Sequence, residues 1–169
     1  MRVAISGTQC VGKSTLIEQL STALPDYEVV DEPYLLLEDE GHDFAHPPTA
    51  EDFEAQLVRS IAEVRRSGPN VLLDRSPADF LGYLLAGGDD IDEWVDRAAT
   101  AMARLDLVVL VPIEAPDRIA VPSDEDLDQR RSVDEEIAQL LIDEELAANV
   151  VTVHGDVDTR VAQVLAHLR

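Results

Sequence analysis

Short runs of valine, isoleucine and leucine alternate along this chain with longer segments in which apolar residues recur every three or four positions. Short apolar runs predict buried strands, whereas the three-to-four spacing predicts amphipathic helices. We predict strands at residues 2–6, 27–31, 70–74, 106–112 and 150–153. We predict helices at residues 14–24, 49–66, 77–86, 91–104, 132–147 and 157–168. Because strands alternate with helices, the pattern predicts an α/β fold with a five-stranded parallel sheet and helices on both faces.

The length and composition fit a single domain. A chain of 169 residues with 46% hydrophobic residues can bury a sizeable core, and the predicted elements use most of it. One long segment, residues 113–131, departs from the pattern, with two prolines and three arginines among many acids. A polar segment of this length between a strand and a helix predicts a mobile loop or a lid. We therefore expect one domain over residues 1–169, with a lid at 113–131.

A second irregular stretch covers residues 38–48 and carries His42 and His46. Two histidines four residues apart suggest a metal site when one helix holds both of them. The adjacent Pro47 and Pro48 argue against such a helix, because proline lacks the amide hydrogen that a helix interior needs. We therefore predict a solvated loop here rather than a metal site.

Residues 7–15 read GTQCVGKST, which matches the pattern G-x-x-x-x-G-K-[ST] without a mismatch. The match lies between a predicted strand and a predicted helix, which is the context that a phosphate-binding loop requires. Gly7 and Gly12 allow a positive φ and a close approach to a ligand, so that the loop amides and the helix N-terminus face the anion. In this motif Lys13 reaches the β- and γ-phosphates, and the Ser14 hydroxyl ligates Mg²⁺. The sequence therefore predicts a nucleoside triphosphate site. Its residues are Gly7, Thr8, Gln9, Cys10, Val11, Gly12, Lys13, Ser14 and Thr15.

The charge of the chain limits the classes of partner that it can bind. The formal net charge is −22, and Lys13 is the only lysine beside twelve arginines. So acidic a surface repels phosphate groups, which argues against nonspecific nucleic-acid binding and against binding to anionic membranes. The sequence contains no run of about 18 apolar residues, so we predict no membrane span. Because Cys10 is the only cysteine, no intramolecular disulfide can form, and we expect a cytoplasmic protein. The sequence leaves a homodimer open.

Candidate catalytic residues follow two of the predicted strands. Phosphoryl transfer needs a Mg²⁺ ligand, a group that deprotonates the acceptor and cations near the phosphates, and a parallel sheet presents such groups at the carboxyl ends of its strands. The second strand ends in Asp31-Glu32, where Glu32 is the candidate base. Asp31 is either the alternative base or the residue that holds a Mg²⁺-bound water. The third ends in Asp74-Arg75, where Asp74 is the candidate Mg²⁺ ligand. Arg75 either pairs with a neighbouring carboxylate or holds an acceptor hydroxyl or phosphate in its guanidinium fork.

Arginines of the predicted lid are candidates for contact with the transferred phosphoryl group. Arg130 and Arg131 end this segment, and Arg118 is a third, weaker candidate. In a chain with so few cations, we expect at least one of the adjacent pair to reach the phosphates when the lid closes. The alternative for both is a solvated position at the start of the next helix. Trp94 and Tyr83 fit helix packing and need no functional role.

Four short pieces of the chain, taken in order, resemble the small P-loop kinases of nucleosides and nucleotides. They are the phosphate loop, the Glu32-Pro33 pair, Phe53-x-x-Gln56 and the triplet Asp74-Arg75-Ser76. This group includes the deoxynucleoside kinases, the thymidylate kinases and the related nicotinamide-riboside-kinase-like AAA ATPases. The resemblance implies that Glu32 acts on the acceptor hydroxyl. It also implies that Phe53 and Gln56 lie on a helix whose glutamine pairs with the substrate base, and that Gly155-Asp156 lies near adenine.

These residues together predict a three-layer P-loop NTPase fold and a kinase that uses ATP and Mg²⁺. The acceptor is a small molecule, most simply a nucleoside or a nucleoside monophosphate. The Glu-Pro pair and Phe-x-x-Gln favour a nucleoside, and so compact a chain also accommodates a vitamin riboside or another hydroxylated metabolite. The alternative is a nucleotide-binding regulatory ATPase or switch that acts through a protein partner. The guanine-reading motif N-K-x-D is absent, whereas an arginine finger from another subunit stays compatible with that alternative.

Overall fold

The computed structural model describes residues 1–117, 119–122 and 126–168. Within these ranges, strands alternate with α-helices, and a π-helical turn, Gln139–Asp143, extends the sixth helix. The strands are β1 (Arg2–Ser6), β2 (Glu28–Val30), β3 (Val71–Asp74), β4 (Leu107–Leu110) and β5 (Val150–Thr152). The helices are α1 (Lys13–Ala23), α2 (Pro33–Asp39), α3 (Ala50–Arg66), α4 (Pro77–Gly87), α5 (Asp92–Met102), α6 (Leu127–Ala138) and α7 (Val157–His167). None of the helices in the described ranges combines the length and the apolar character that a membrane span requires.

The five strands form one parallel sheet in the order β2-β3-β1-β4-β5. The central strand is β1, in which Ile5 pairs with Asp74 of β3 and Ser6 pairs with Leu110 of β4. The carboxyl ends of these three strands therefore lie side by side, and the loops that follow them share one edge of the sheet. This confirms the predicted five-stranded parallel sheet and places the phosphate loop at its centre.

Apolar side chains cover both faces of this sheet. On β1, Ala4 packs into one buried cluster, whereas Val3 and Ile5 pack into the other, because successive side chains of a strand point to opposite faces. Helices α3 to α6 complete the first cluster, and helices α1 and α7 complete the second. The chain therefore forms three layers with helices on both faces, as the sequence predicts.

Helix α2 was missing from the predicted elements. Pro33 occupies its first turn, where the absent amide hydrogen breaks no helical hydrogen bond. The helix is only 7 residues long, which is shorter than the window over which helical periodicity becomes visible. Its last residues, 38 and 39, belong to the stretch for which we predicted a loop.

The loop after α2 is largely exposed, as predicted, and Phe44 is the buried residue of the stretch 38–48. The Phe44 ring is 7% exposed and stacks on Tyr34, with 4.3 Å between the ring centroids. His42 Nε2 lies 3.2 Å from Asp52 Oδ1, and Asp52 Oδ2 accepts a hydrogen bond from the Thr49 amide at 2.9 Å. These contacts anchor the loop to the first turn of α3. Across the described ranges, no three side chains of His, Cys, Asp or Glu come together as a metal site.

Helix α6 begins at Leu127, earlier than predicted. The Asp126 side chain caps it, because Oδ1 accepts hydrogen bonds from the amides of Asp128 at 3.1 Å and Gln129 at 3.0 Å. Most side chains of this first turn are exposed, so the apolar period that marks a helix in sequence is absent there. Residues 127–131 of the predicted lid are therefore helical.

Replacing Leu57 by alanine tests the packing of α3 on the sheet. Leu57 is 0% exposed, whereas its neighbour Val58 is 42% exposed. We expect Leu57→Ala to lower the free energy of unfolding by about 2–5 kcal/mol, because it leaves a cavity. The matched control Val58→Ala should change that free energy by less than about 1 kcal/mol. Urea unfolding measures both, and equal losses in the two variants would contradict the orientation of α3.

Candidate active site

The phosphate loop joins the end of β1 to the start of α1, and its backbone requires glycine at two positions. Gly7 has a φ of 144°, and a Cβ atom there would lie 2.3 Å from the carbonyl oxygen of Val111. Gly12 has a φ of 93°, and its Cβ atom would lie 2.7 Å from Ile119 Cδ1. Helix α1 begins directly after the loop, at Lys13. Because the first amides of a helix have no partner within it, this end of α1 is suited to an anion.

Lys13 lies buried beneath the loop. The residue is 6% exposed, and Nζ donates a hydrogen bond to the carbonyl oxygen of Thr8 at 2.6 Å. Burial, followed by the positive charge of Arg75, lowers the pKa of Lys13 to about 8. A phosphate bound here would favour the charged ammonium, since an adjacent anion raises that pKa. The next two residues, Ser14 and Thr15, are exposed on the first turn of α1.

A buried carboxylate that the sequence analysis missed joins the phosphate loop to the segment after β3. Asp79, on α4, is 0% exposed; Oδ1 accepts a hydrogen bond from the Gly7 amide at 2.8 Å, and Oδ2 accepts one from the Ser76 amide at 2.9 Å. Its Oδ1 also lies 3.6 Å from Arg75 Nη1. The spacing Ser76-x-x-Asp79 is that of a capping box at the start of α4, which was the available sequence signal.

Two arginines hold carbonyl oxygens of the phosphate loop. Arg130, on α6, donates from Nε to the Gln9 carbonyl at 3.1 Å and from Nη2 to the Cys10 carbonyl at 3.2 Å. Arg160, on α7, donates from Nη1 to the Val11 carbonyl at 2.7 Å. Both residues are buried, at 2% and 6% exposure. The sequence pattern indicates Arg130 but not Arg160, because no motif distinguishes Arg160 from the other arginines.

Each of these arginines also pairs with a carboxylate from the segment after β4. The two carboxylate oxygens of Asp117 accept hydrogen bonds from Arg130 at 2.9 and 3.2 Å. Glu114 Oε1 accepts a hydrogen bond from Arg160 Nη2 at 3.1 Å. This acidic segment and the two arginines therefore hold the phosphate loop from one side.

The structure separates the adjacent arginines that the sequence analysis named together. Arg130 contacts the phosphate loop, whereas the Arg131 side chain is 65% exposed and lies 3.5 Å from Asp128. Consecutive residues of an α-helix point in directions about 100° apart, so one of such a pair faces the interior and the other faces solvent. Arg131 therefore takes the solvated position at the start of α6, which was the alternative to phosphate contact. Arg118, the third candidate, lies outside the described residues.

Asp74 has the properties of a Mg²⁺ ligand. Its Oδ1 is buried and has no hydrogen-bond partner within the described part of the chain. Burial raises the pKa of Asp74 to about 6, against the opposing influence of Lys13 and Arg75. An uncompensated carboxylate oxygen at this edge of the sheet suits Mg²⁺, which prefers oxygen ligands and uses few protein groups beside water and phosphate. The exposed Ser14 hydroxyl is the second candidate ligand.

A cavity of about 330 Å³ opens on one side of the phosphate loop. The rings of Phe53 and Tyr83 stack there with centroids 4.7 Å apart, and the Arg75 guanidinium lies 5.5 Å from the Tyr83 ring. Glu32 Oε2 accepts a hydrogen bond from Arg75 Nε at 3.0 Å. Gln56 lines the same cavity, and its Nε2 donates to a carbonyl oxygen of its own helix at 3.2 Å. The structure thus gathers the four predicted acceptor residues around one space. The full lining is Gln9, Glu32, Tyr34, Pro47, Pro48, Phe53, Gln56, Arg75, Phe80, Tyr83 and Gln129.

Tyr83 does more than pack between helices, which corrects the expectation drawn from sequence. Its hydroxyl donates a hydrogen bond to Oε1 of Gln9 in the phosphate loop, while its ring lines the cavity against Phe53. Tyr83 therefore connects the loop to this cavity. Its surroundings in the apolar helix α4 gave no sign of that contact. Trp94 packs in the core as expected, at 8% exposure.

A second cavity, of about 300 Å³, borders other residues of the loop. Gly12 and Thr15 of the phosphate loop line it, together with Gly155 and Asp156, the pair that resemblance placed near adenine. Arg160 also borders it. Because Gln9 lines the first cavity, both cavities border the phosphate loop, at different residues.

The strand order, the phosphate loop and the flanking cavities define a P-loop kinase fold. Deoxyadenosine kinase from M. mycoides, solved with bound dATP, is similar with a TM-score of 0.73 and 16% identity over 99% of this chain and 98% of that chain. NadR protein in complex with NR has a TM-score of 0.71 and 17% identity over 98% of this chain and 50% of that chain. Thymidylate kinase from Candida albicans has a TM-score of 0.66 and 16% identity over 97% and 88% of the two chains. At these identities the likeness shows the fold.

The family of the chain follows from a match over most of its length. The family model described as "AAA domain" matches residues 2–160, so the chain belongs to the AAA domain family. No curated protein matches it. Together with the fold, this membership supports the resemblance to P-loop nucleoside and nucleotide kinases that the short motifs indicated.

Asp74→Asn should stabilise the protein when a chelator removes divalent ions. The pKa of Asp74 is raised from 3.8 to about 6, so the ionised carboxylate destabilises the fold. This penalty is absent below about pH 4 and complete above about pH 6. We expect the free energy of unfolding to rise by about 2 kcal/mol near pH 8 and the gain to shrink as the pH falls.

Urea unfolding across this pH range measures the effect, with Asp26→Asn as a matched control at an exposed aspartate. The control should leave the free energy of unfolding nearly unchanged at every pH. A gain from Asp74→Asn that does not vary with pH would contradict the raised pKa.

Proposed function

We propose that this protein is an ATP-dependent kinase that transfers the γ-phosphate of ATP to a small acceptor, either to a hydroxyl group of a nucleoside or to a phosphate oxygen of a nucleoside monophosphate. The observation that carries the proposal is that two cavities border the same phosphate loop, one at Gln9 and the other at Gly12 and Thr15. A kinase must hold donor and acceptor at once, with the phosphates between them. A protein that only binds or hydrolyses a nucleotide needs no second organic cavity at this place. The P-loop kinase fold supports the proposal by analogy.

On the donor side, the phosphate-loop residues and the start of α1 would hold the triphosphate, with adenine in the cavity beside Gly155. Lys13 would place its ammonium against the β- and γ-phosphates. Ser14 and Asp74 would hold Mg²⁺, which neutralises charge on the phosphates. Of the two arginines that sequence pattern named, we propose that Arg130 supplies positive charge at the loop, because it already contacts two loop carbonyls.

On the acceptor side, we assign the base to Glu32. As the acceptor oxygen bonds to the γ-phosphorus, the carboxylate of Glu32 takes the hydroxyl proton, and the bond from phosphorus to the leaving oxygen of ADP breaks. Arg75 orients this carboxylate through its hydrogen bond of 3.0 Å. Phe53 offers a ring for stacking, and Gln56 offers an amide for the edge of a base. These acceptor-side roles rest on the closeness of the four side chains in one cavity.

The experiment that tests the proposal is a screen of ATP consumption in the presence of Mg²⁺. The panel contains nucleosides, nucleoside monophosphates and ribosides, each offered singly. We expect at least one acceptor to raise ADP release well above the rate without acceptor. Binding of ATP with no acceptor-dependent release would contradict the proposal and favour a regulatory ATPase that acts through a partner.

Three variants test the proposed roles at the loop and at the base. Lys13→Ala should reduce transfer to background, because the phosphates lose their nearest ammonium. Glu32→Gln should lower kcat by about 10²–10⁴-fold while ATP still binds, because the variant cannot accept a proton. Asp31→Asn is the matched control, since it removes the neighbouring exposed carboxylate. Steady-state kinetics and ATP titration measure these effects. Normal turnover by Glu32→Gln together with a loss in Asp31→Asn would move the base to Asp31.

A further inference from the structure

We infer that the acceptor carries no phosphate group. Resting on the kinase proposed above, this inference selects between the two acceptor classes: the cavity takes an uncharged nucleoside and excludes the corresponding monophosphate. The two classes share a base and a sugar and differ by a dianionic group. The charges around the acceptor cavity therefore decide between them.

The positive charge that faces this cavity is already balanced. Among the lining residues in the described ranges, the ionised side chains are Glu32 and Arg75. Arg75 donates from Nε to Glu32 at 3.0 Å and from Nη1 to the Gly7 carbonyl at 3.3 Å. Its Nη1 also lies 3.6 Å from the fully buried Asp79. One cation therefore lies between two carboxylates, and the cluster as a whole is negative.

Two further cations near the loop, Lys13 and Arg130, already have hydrogen-bond partners. Lys13 Nζ lies beneath the loop on the Thr8 carbonyl at 2.6 Å. Arg130 holds two loop carbonyls and pairs with Asp117 at 2.9 Å. A phosphate monoester usually binds through guanidinium or ammonium groups that are free to take it. Among the described residues that line the acceptor cavity, none offers such a free group, so a monophosphate beside Glu32 would be repelled.

The charge of the whole chain acts in the same direction. A net charge of −22 lowers the local concentration of a dianionic acceptor relative to an uncharged one and slows its encounter with the cavity. Salt screens this repulsion, because the Debye length shortens as ionic strength rises. The preference for the uncharged acceptor should therefore weaken at high salt. Because ATP is common to both reactions, repulsion of ATP by the chain cancels when two acceptors are compared.

The apolar part of the cavity suits the uncharged acceptor. The stacked Phe53 and Tyr83 rings present an aromatic surface, and Pro47 and Pro48 line the cavity as well. A volume of about 330 Å³ lies within the range of small-molecule sites. An uncharged base and sugar bring no charge of their own that must lose its water in this space, and a sugar hydroxyl can donate a hydrogen bond to the Glu32 carboxylate.

The test compares each common ribonucleoside and deoxyribonucleoside with its own 5′-monophosphate, at saturating ATP and Mg²⁺. We expect kcat/KM for the best nucleoside to exceed that for its monophosphate by about 100-fold or more, because the phosphate would lie unpaired beside a carboxylate. The ratio should fall as salt is raised. A monophosphate that is used as well as its nucleoside, or better, would overturn the inference and leave the kinase proposal standing.

A charge-adding variant makes the test specific to the cavity. Gln129, exposed on the first turn of α6, lines the cavity, and Gln129→Lys adds a cation there. We expect this variant to reduce the preference for the nucleoside by about tenfold, since the added ammonium can pair with the phosphate. Gln19→Lys, on the exposed side of α1, adds the same charge elsewhere and should leave the preference unchanged. An equal change in both variants would assign the preference to net charge and overturn the cavity argument.

A binding measurement separates failure of this inference from failure of the proposed function. The paired ligands are titrated calorimetrically into the protein in complex with a non-hydrolysable ATP analogue. If no acceptor is phosphorylated, the kinase proposal fails, and the titration still decides the inference. Binding of a nucleoside but not of its monophosphate supports it. Tighter binding of the monophosphate overturns it.

Discussion

At the edge of the sheet where β1 and β3 end, the buried carboxylate of Asp79 accepts hydrogen bonds from the Gly7 amide at 2.8 Å and the Ser76 amide at 2.9 Å. The first of these bonds fixes the entry into the phosphate loop, and the second fixes the start of α4. The Arg75 guanidinium lies in the same region and donates hydrogen bonds to the Gly7 carbonyl at 3.3 Å and to the Glu32 carboxylate at 3.0 Å. Because a buried carboxylate is stable only when its partners are in place, the phosphate loop and the cavity beside Arg75 depend on one another.

The acidic chain concentrates its few interior cations around one loop. Lys13, Arg130 and Arg160 each donate to a carbonyl oxygen of residues 8–11, and all three are nearly fully buried. These contacts satisfy the carbonyl oxygens of the loop and leave the first turn of α1 for an anion. Among the described residues that line the cavity beside this loop, the cation is Arg75, which already lies between the carboxylates of Glu32 and Asp79. The distribution of charge therefore favours one phosphorylated ligand and one uncharged ligand in a single site.

The sequence predicted the features that are local along the chain. The phosphate loop is contiguous, the alternation of strands and helices shows in short windows, and short motifs named Glu32, Phe53, Gln56 and Arg75 before the structure gathered them around one cavity. The missed features depend on tertiary contacts. Asp79 and Arg160 bind loop atoms 72 and 149 positions away, and nothing in the surrounding pattern records such a partner. Helix α2 is too short to show helical periodicity. The exposed first turn of α6 shows no apolar periodicity either, so the sequence could not indicate that Arg130 and Arg131 point in different directions.

The destination of the γ-phosphate distinguishes a kinase from an ATPase most directly. The measurement incubates the protein with γ-labelled ATP, Mg²⁺ and a mixture of nucleosides, and then separates organic phosphate esters from inorganic phosphate. A kinase with Glu32 as its base should place the label on a nucleoside in step with ADP formation and release little inorganic phosphate. Label that appears only as inorganic phosphate, with ATP consumed at the same rate whether or not nucleosides are present, would contradict phosphoryl transfer to an acceptor hydroxyl.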